Sequence, residues 1–153
     1  MLAAKESLMV EELKRHLGDK ITKIEIVRAR RVNVEVPPGA HRDVIKFLRD
    51  NFDVKHLVTI TGVDLGDCIE LIYHLSPDNR RWLLNVRTKV PKDNPVIESI
   101  VDIIPGATMY EREVYDLLGV TFEGHPNLER LVLPDDWPEG EYPLRKDWKP
   151  KEV

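Results

Sequence analysis

The stretch KHLVTITGVDLGDCIELIYHLSPDNRRWLLNVRTKV, residues 55–90, decides the fold. Three runs within it, Lys55–Asp64, Ile69–Leu75 and Trp82–Val90, are rich in Val, Ile, Thr, Leu and Tyr and read as strands. Leu65-Gly66-Asp67 and Ser76-Pro77-Asp78-Asn79-Arg80 separate them with turn-forming residues, which suits antiparallel neighbours. Upstream, Ile24 and Ile26, then Val32, Val34 and Val36, alternate with polar residues on either side of Arg28-Ala29-Arg30-Arg31. That pattern predicts a strand pair, stopped by Pro37-Pro38.

The period changes elsewhere. Val10, Leu13 and Leu17 recur at helical spacing with Gly18 as a C-terminal cap, and Val44, Ile45, Leu48 and Phe52 predict a second helix. Asn94 as N-cap and Pro95 at the first helical position predict a third, with an apolar face of Val96, Ile97, Ile100, Val101 and Ile104 ended by Pro105-Gly106. A short fourth helix, Met109–Leu118, stops at Gly119. The order α-β-β-α-β-β-β-α-α has hairpins and no βαβ alternation. It indicates an α+β fold, a mainly antiparallel sheet with helices packed on it, over residues 1–119.

Residues 120–153 differ. These 34 residues hold five of the eleven prolines and two of the three tryptophans, with little periodicity beyond Leu128, Leu131 and Leu133. Prolines 126, 134, 138, 143 and 150 fix φ and remove donors, so no long helix or interior strand fits. Trp137, Tyr142, Leu144 and Trp148 are nevertheless large groups to leave in water. An extended C-terminal arm follows, lying either along another surface or back over its own domain.

Composition excludes several functions. A third of the 153 residues are charged with both signs mixed, and the net of −4 gives no broad positive field for nucleic acid. The longest run free of Asp, Glu, Lys and Arg is eight residues, against roughly 20 for a membrane span. Charges at Lys5 and Glu6 break the N-terminus as a signal peptide, so a soluble, cytoplasmic chain is expected. One cysteine, Cys68, excludes a Cys-ligated cluster or an internal disulfide built from this chain alone. Histidines 16, 41, 56, 74 and 125 form no HxxxH or HExxH, and no Gly-rich phosphate loop occurs. Gln is absent while Lys, Arg and Glu abound, a bias of thermophilic sources.

The densest set of chemically able residues is Glu111-Arg112-Glu113-Val114-Tyr115-Asp116, with His125 just beyond. Helical spacing lets Arg112, Glu113 and Asp116 share a face. One reading is a carboxylate pair doing acid–base work with His125. The other, favoured because no nucleophile or phosphate loop accompanies them, is an ion-pair network that fixes the helix and docks the tail. The run Arg28–Arg31 and the pair Arg80-Arg81 read as charged hairpin ends able to meet an acidic partner face or lipid headgroups.

The run Glu111-Arg112-Glu113-x-x-Asp116-x-x-Gly119-Val120-x-Phe122-x-Gly124-His125-Pro126-Asn127-Leu128-x-Arg130 resembles the signature of the hydrophilic 30-kDa, or C, subunit of NADH:quinone oxidoreductase. Kindred subunits serve membrane-bound [NiFe] hydrogenases and related archaeal complexes. Leu133-Pro134-Asp135-Asp136-Trp137 and Tyr142-Pro143-Leu144-Arg145-Lys146-Asp147 are similar to the family's tail, and Ile60–Asp64 with Leu71–Leu75 to its central strands. The resemblance spans roughly residues 55–148 and departs at Pro138–Glu141, where the family usually continues from the tryptophan with Gly-His-Pro-Leu-Arg. It implies a subunit with no catalytic residue, cofactor or metal of its own, on the cytoplasmic side of a membrane-bound, ion-translocating complex. Its implied partners are a large catalytic subunit, of the 49-kDa or [NiFe] hydrogenase type, and iron–sulfur subunits, with the membrane arm reached indirectly. Clusters and the nickel–iron or quinone site would reside in those partners. Glu111, Arg112, Glu113, Asp116, His125, Arg130, Trp137, Leu144, Arg145 and Trp148 are then structural or interfacial residues. The short ends and composition favour the hydrogenase or sulfur-reducing branch over the NADH-linked one.

Overall fold

The structure, a computed structural model, describes residues 2–77 and 81–151; Arg80, one of the basic hairpin residues, falls outside them. Three consecutive strands form an antiparallel meander: β3 (His56–Asp64), β4 (Cys68–Ser76) and β5 (Leu83–Pro91). Tyr73 at its centre faces Ile60 on one side and Val86 on the other. The hairpin of β1 (Lys23–Arg28) and β2 (Arg31–Glu35) joins the far edge, β2 running parallel to β5 with Val34 beside Val86. The sheet order is β1-β2-β5-β4-β3, and β2–β5 is its one parallel pairing.

Strand alternation divides the sheet into two unlike faces. One carries Val32, Val34, Ile60, Leu71, Tyr73, Leu84 and Val86, each buried. Helices α1 (Leu2–Leu17), α2 (Ala40–Phe52) and α3 (Ala107–Leu118) cover it with Met9, Leu13, Val44, Ile45, Leu48, Val114 and Leu118. Each such side chain contributes about 1.5–3 kcal/mol, so this layer outweighs the exposed ion pairs, worth about 0–1 kcal/mol apiece. The other face is polar and half-buried. A side-chain ladder crosses four strands there: Thr61 to His74 at 2.8 Å, His74 to Asn85 at 2.8 Å, and Asn85 to Asn33 at 2.9 Å.

Two expectations about helices fail. Residues 96–104 do not continue as a helix. Val96–Glu98 is a short strand, β6, pairing in parallel with β7 (Thr121–Glu123), and Ile100–Ile104 is a single turn. Val96 and Ile97 are β-branched, and across from them Thr121 gives its N–H to Pro95 while Ser99 gives its N–H to Glu123. That long-range pairing outweighs the local cap signal. Pro105-Gly106 consequently precedes a helix instead of ending one. Gly18 is not a left-handed cap, because α1 runs into a short 3₁₀ turn over Gly18–Lys20. The core also continues past Gly119: Val120 and Phe122 are buried, and the irregular segment begins after β7.

Candidate functional site

Helix α3 packs along β3, and the sequence makes this close. Gly62 on β3 faces the core, where any Cβ would collide with Leu118. The helix ends at Gly119, left-handed at φ 77°, whose N–H returns to the Tyr115 carbonyl. The functional groups on and beside this helix point in different directions, and their destinations define the site.

Asp116 is buried, and its Oδ2 accepts three successive backbone N–H groups, from Leu131, Val132 and Leu133, at 3.2, 2.8 and 2.8 Å. Three donors converging on one carboxylate oxygen make a charge-assisted clamp. One turn earlier, Arg112 donates to the carbonyls of Glu129 and Arg130 at 3.2 and 2.7 Å. Between them the two side chains hold residues 129–133 by donors and acceptors alike. Arg130 in turn donates to the carbonyls of Pro134 and Asp135, folding the next turn. His125 completes the near end: its Nε2 donates to the Thr108 carbonyl at 2.9 Å and its Nδ1 accepts the Asn127 N–H at 3.0 Å.

A second clamp lies at the end of α3. Arg145 donates from Nε to the Leu118 carbonyl at 2.8 Å and stacks over the Tyr142 ring, and the Leu144 N–H reaches the Leu117 carbonyl. Tyr142 and Arg145 lie directly on Gly119, where a Cβ would come within 2.6 Å of the ring. Farther on, Asp64 at the end of β3 accepts the Lys146 N–H at 2.9 Å and the Lys92 ammonium at 2.7 Å, and Lys92 bridges to Asp147. The Lys92 hydrogen bond, together with the Lys146 and Gly66 N–H groups, holds the Asp64 carboxyl down at about 2 against the cost of its burial. Trp137 and Trp148 meet at 5.6 Å, and Trp137 Nε1 donates to the Glu141 carbonyl.

Glu111 turns the other way. Fully buried, it accepts the Ser99 hydroxyl and the Ile100 N–H, tying α3 to the turn after β6. Burial pushes its carboxyl above the usual range, offset in part by those two bonds. Such a shift marks many general acids, but at 0% exposure no substrate reaches this group. Glu113 is exposed to solvent beside the exposed Leu144. The three carboxylates therefore do not converge with His125 on a reacting centre, and Glu113 and Asp116 do not share a face. Arg112 and Asp116 grip main chain and are not paired with each other. Among the described residues no three His, Cys, Asp or Glu side chains cluster to hold a metal ion, and no helix is long and apolar enough to cross a membrane.

Residues 34–153 match the family described as respiratory-chain NADH dehydrogenase, 30 Kd subunit. The chain belongs to this family. Among 30 Kd-type relatives it is 35% identical to the C subunit of the F(420)H(2) dehydrogenase of Methanosarcina mazei, over 92% of this chain and 90% of that one. It is 37% identical to the beta subunit of the membrane-bound hydrogenase of Pyrococcus furiosus, over 78% of this chain and 70% of that one. A chain in the solved structure of the membrane-bound sulfane sulfur reductase, an archaeal respiratory membrane complex, superposes with a TM-score of 0.83 at 31% identity, covering 95% and 86% of the two chains. The mixed fold with a mainly antiparallel sheet is thus the 30 Kd fold.

Sequence reasoning missed the roles of three residues that shape the site. Asp64 and Lys92 carry no ligand or cap pattern, and their meeting depends on the β4–β5 hairpin between them. His41, fully buried against the Tyr73 ring, accepts the Gly39 N–H at Nδ1 and donates to the Glu98 carbonyl through Nε2. Its partners lie on a loop and on β6, so spacing along its own helix gave no signal for them.

Proposed function

We propose that this chain is a cofactor-free peripheral subunit of a membrane-bound, ion-translocating oxidoreductase, lying on its cytoplasmic side. The body runs on through β7, and the segment after it forms an arm that docks on partner subunits and helps to position the large catalytic subunit. That partner is of the [NiFe] hydrogenase or 49-kDa type, with iron–sulfur subunits adjacent and the membrane arm reached through them. The hydrogenase or sulfur-reducing branch is preferred, supported by the superposition on the sulfane sulfur reductase chain at a TM-score of 0.83 and by the similarity to the hydrogenase beta subunit.

The observation that carries this reading is the destination of the signature side chains. Asp116, Arg112, His125 and Arg145 spend their hydrogen bonds on the arm's backbone or on its approach to α3. They shape a surface and leave no acid–base pair free. On that surface Met109, Val132 and Leu144 remain exposed at 50%, 57% and 57%, apolar area suited to cover by a partner.

The test is to purify the tagged chain from gently solubilised membranes of its native host, then identify companions and assay metals and flavin. Nickel with a hydrogenase-type large subunit places it in the hydrogenase branch. A quinone-site large subunit with flavin and NADH-linked companions moves it to the NADH branch. Recovery as a lone protein from wild-type cells overturns the assembly reading.

A further inference from the structure

The arm occupies one end of the sheet, where β3 finishes at Asp64 and β5 leads into Lys92. The opposite end carries a different surface. There the starts of β2, β3 and β5 and the end of β4 surround a cleft of about 510 Å³ lined by Arg30, Arg31, Arg81, His56, Trp82 and Val58, among others. Nine residues of β3 separate the two ends, roughly 30 Å at strand rise.

The charge of this cleft is unlike that of the chain. The sequence has 27 acidic and 23 basic residues, yet Arg30, Arg31, Arg81 and His56 line the cleft and, among the described residues, no carboxylate does. Arg28 extends the same basic end, and Arg28, Arg30 and Arg31 are all exposed. Glu6 approaches from α1, but it is buried and its carboxylate accepts the Arg30 N–H at 2.5 Å, a use that fixes the hairpin turn. That turn places Arg30 at φ 66°, and the hairpin projects Arg30 and Arg31 into the cleft lining. The same lining includes Leu83, the half-buried Trp82, which packs on the core, and Val58, 42% exposed.

We propose that this cleft is a second docking site, which takes an acidic segment of a neighbouring protein subunit. Its carboxylates would meet Arg30 and Arg31 in the forked geometry guanidinium favours, and an adjoining apolar side chain would rest on Trp82 and Leu83. The cleft favours a peptide over a bilayer, because a membrane surface engages flat or convex basic faces, whereas here basic side chains and an indole line one recess. The proposal rests on the assembly reading above, in that the neighbour belongs to the same complex. It makes the chain a bridge, gripping one neighbour with the arm and another some 30 Å away.

The test uses photo-cross-linking in the intact complex. p-Benzoylphenylalanine replaces Val58 in one tagged chain and Val132 in another, and each complex is purified, irradiated and peptide-mapped. The expected result at position 58 is a cross-link to a companion segment containing Asp or Glu. Its yield should fall about 10-fold or more in the R30D/R31E variant, and also as salt rises in the otherwise unchanged chain. Asp is chosen at position 30 because it tolerates the left-handed backbone. A cross-link to lipid alone, to a segment without carboxylates, or with a yield indifferent to both charge reversal and salt overturns the proposal. Capture of the large subunit from position 132 with nothing from position 58 overturns only this second site. Absence of any companion from both positions overturns the assembly reading with it.

Discussion

The sheet with its helices, up to Phe122, and the segment 124–151 sit side by side but are held by different forces. On the core face of the sheet, whole side chains vanish from water: Tyr73, Leu71, Leu84, Ile45 and Phe122 are all at or below 2% exposed. Between residues 124 and 151 no residue is fully buried, and no helix or strand forms. What fixes that segment is a small number of polar contacts at four places: His125 on Thr108, Asp116 and Arg112, Arg145 over Gly119, and Asp64 with Lys92. Burial is non-directional and cooperative, whereas these clamps are local and few. Residues 124–151 therefore have their own, smaller stability and should open without unfolding the sheet.

Breaking each side in turn separates them. Phe122→Ala empties a fully buried site in β7 and should cost about 3–5 kcal/mol, read as a lower urea midpoint with unchanged slope. Asp116→Ala should cost about 2–4 kcal/mol of arm anchoring, since a charged acceptor for three N–H groups is lost. The sheet should survive it. The expected readout is faster trypsin cleavage after Arg130 and Lys146, with the urea midpoint of the core nearly unmoved. A fall in midpoint equal to that of Phe122→Ala would mean that arm and core unfold as one unit, and the distinction would be lost.

The same contrast explains what the sequence disclosed. Alternation and turn residues exposed β1 to β5 within a residue or two, because each strand's two faces meet different surroundings and the pattern is local. Residues 96–104 were misread for the complementary reason. Val96, Ile97, Ile100, Val101 and Ile104 satisfy helical spacing, but the choice was made by β7, some 25 positions along the chain. The site was half legible. Glu111 to Arg130 stood out as a dense and specific cluster, and the resemblance named its family. That Asp116 would bind the N–H groups of residues 131–133, and not Arg112, was not legible, since backbone donors have no letter in the sequence. For residues 120–153, proline and tryptophan content predicts an extended, aromatic segment and gives no hint of Asp64 and Lys92.

Acid sharpens the comparison from the core's side. Burial drives the His41 imidazole below its ordinary value of 6.5, with Arg42 acting the same way and the Glu98 carbonyl, Glu98 and Asp43 opposing. The native state therefore binds fewer protons than the unfolded one as pH falls below that value. His41's contribution is fully present above about pH 6.5 and is lost as pH drops through its depressed folded value. Glu111, raised by burial, works oppositely, favouring the folded state as pH falls. Urea midpoints from pH 8 to 5 for wild type and His41→Gln isolate the first effect: the difference between the two should shrink toward acid pH. The Asp64 clamp, at about 2, should hold the arm's end through this whole range. Release of residues 146–147 before the core loosens would reverse the assigned order.

The smallest effect is expected at Glu113, and its smallness is informative. It stands on the same helix as Glu111 and Asp116, with identical charge, one turn from each or closer. Yet it is exposed, and among the described residues no hydrogen bond or ion pair joins it to the arm. An exposed carboxylate without such partners should contribute within about ±0.5 kcal/mol, so Glu113→Gln should leave both the urea midpoint and the trypsin pattern unchanged. If Glu113 were instead half of a catalytic pair, the loss of one negative charge would abolish activity in the purified complex while leaving its composition intact. If it faces a partner, the variant should alter recovery of that companion while the isolated chain behaves as wild type. Measuring stability, proteolysis and companion recovery on the one variant therefore divides the surface of α3 into the side that holds the arm and the side left for another protein.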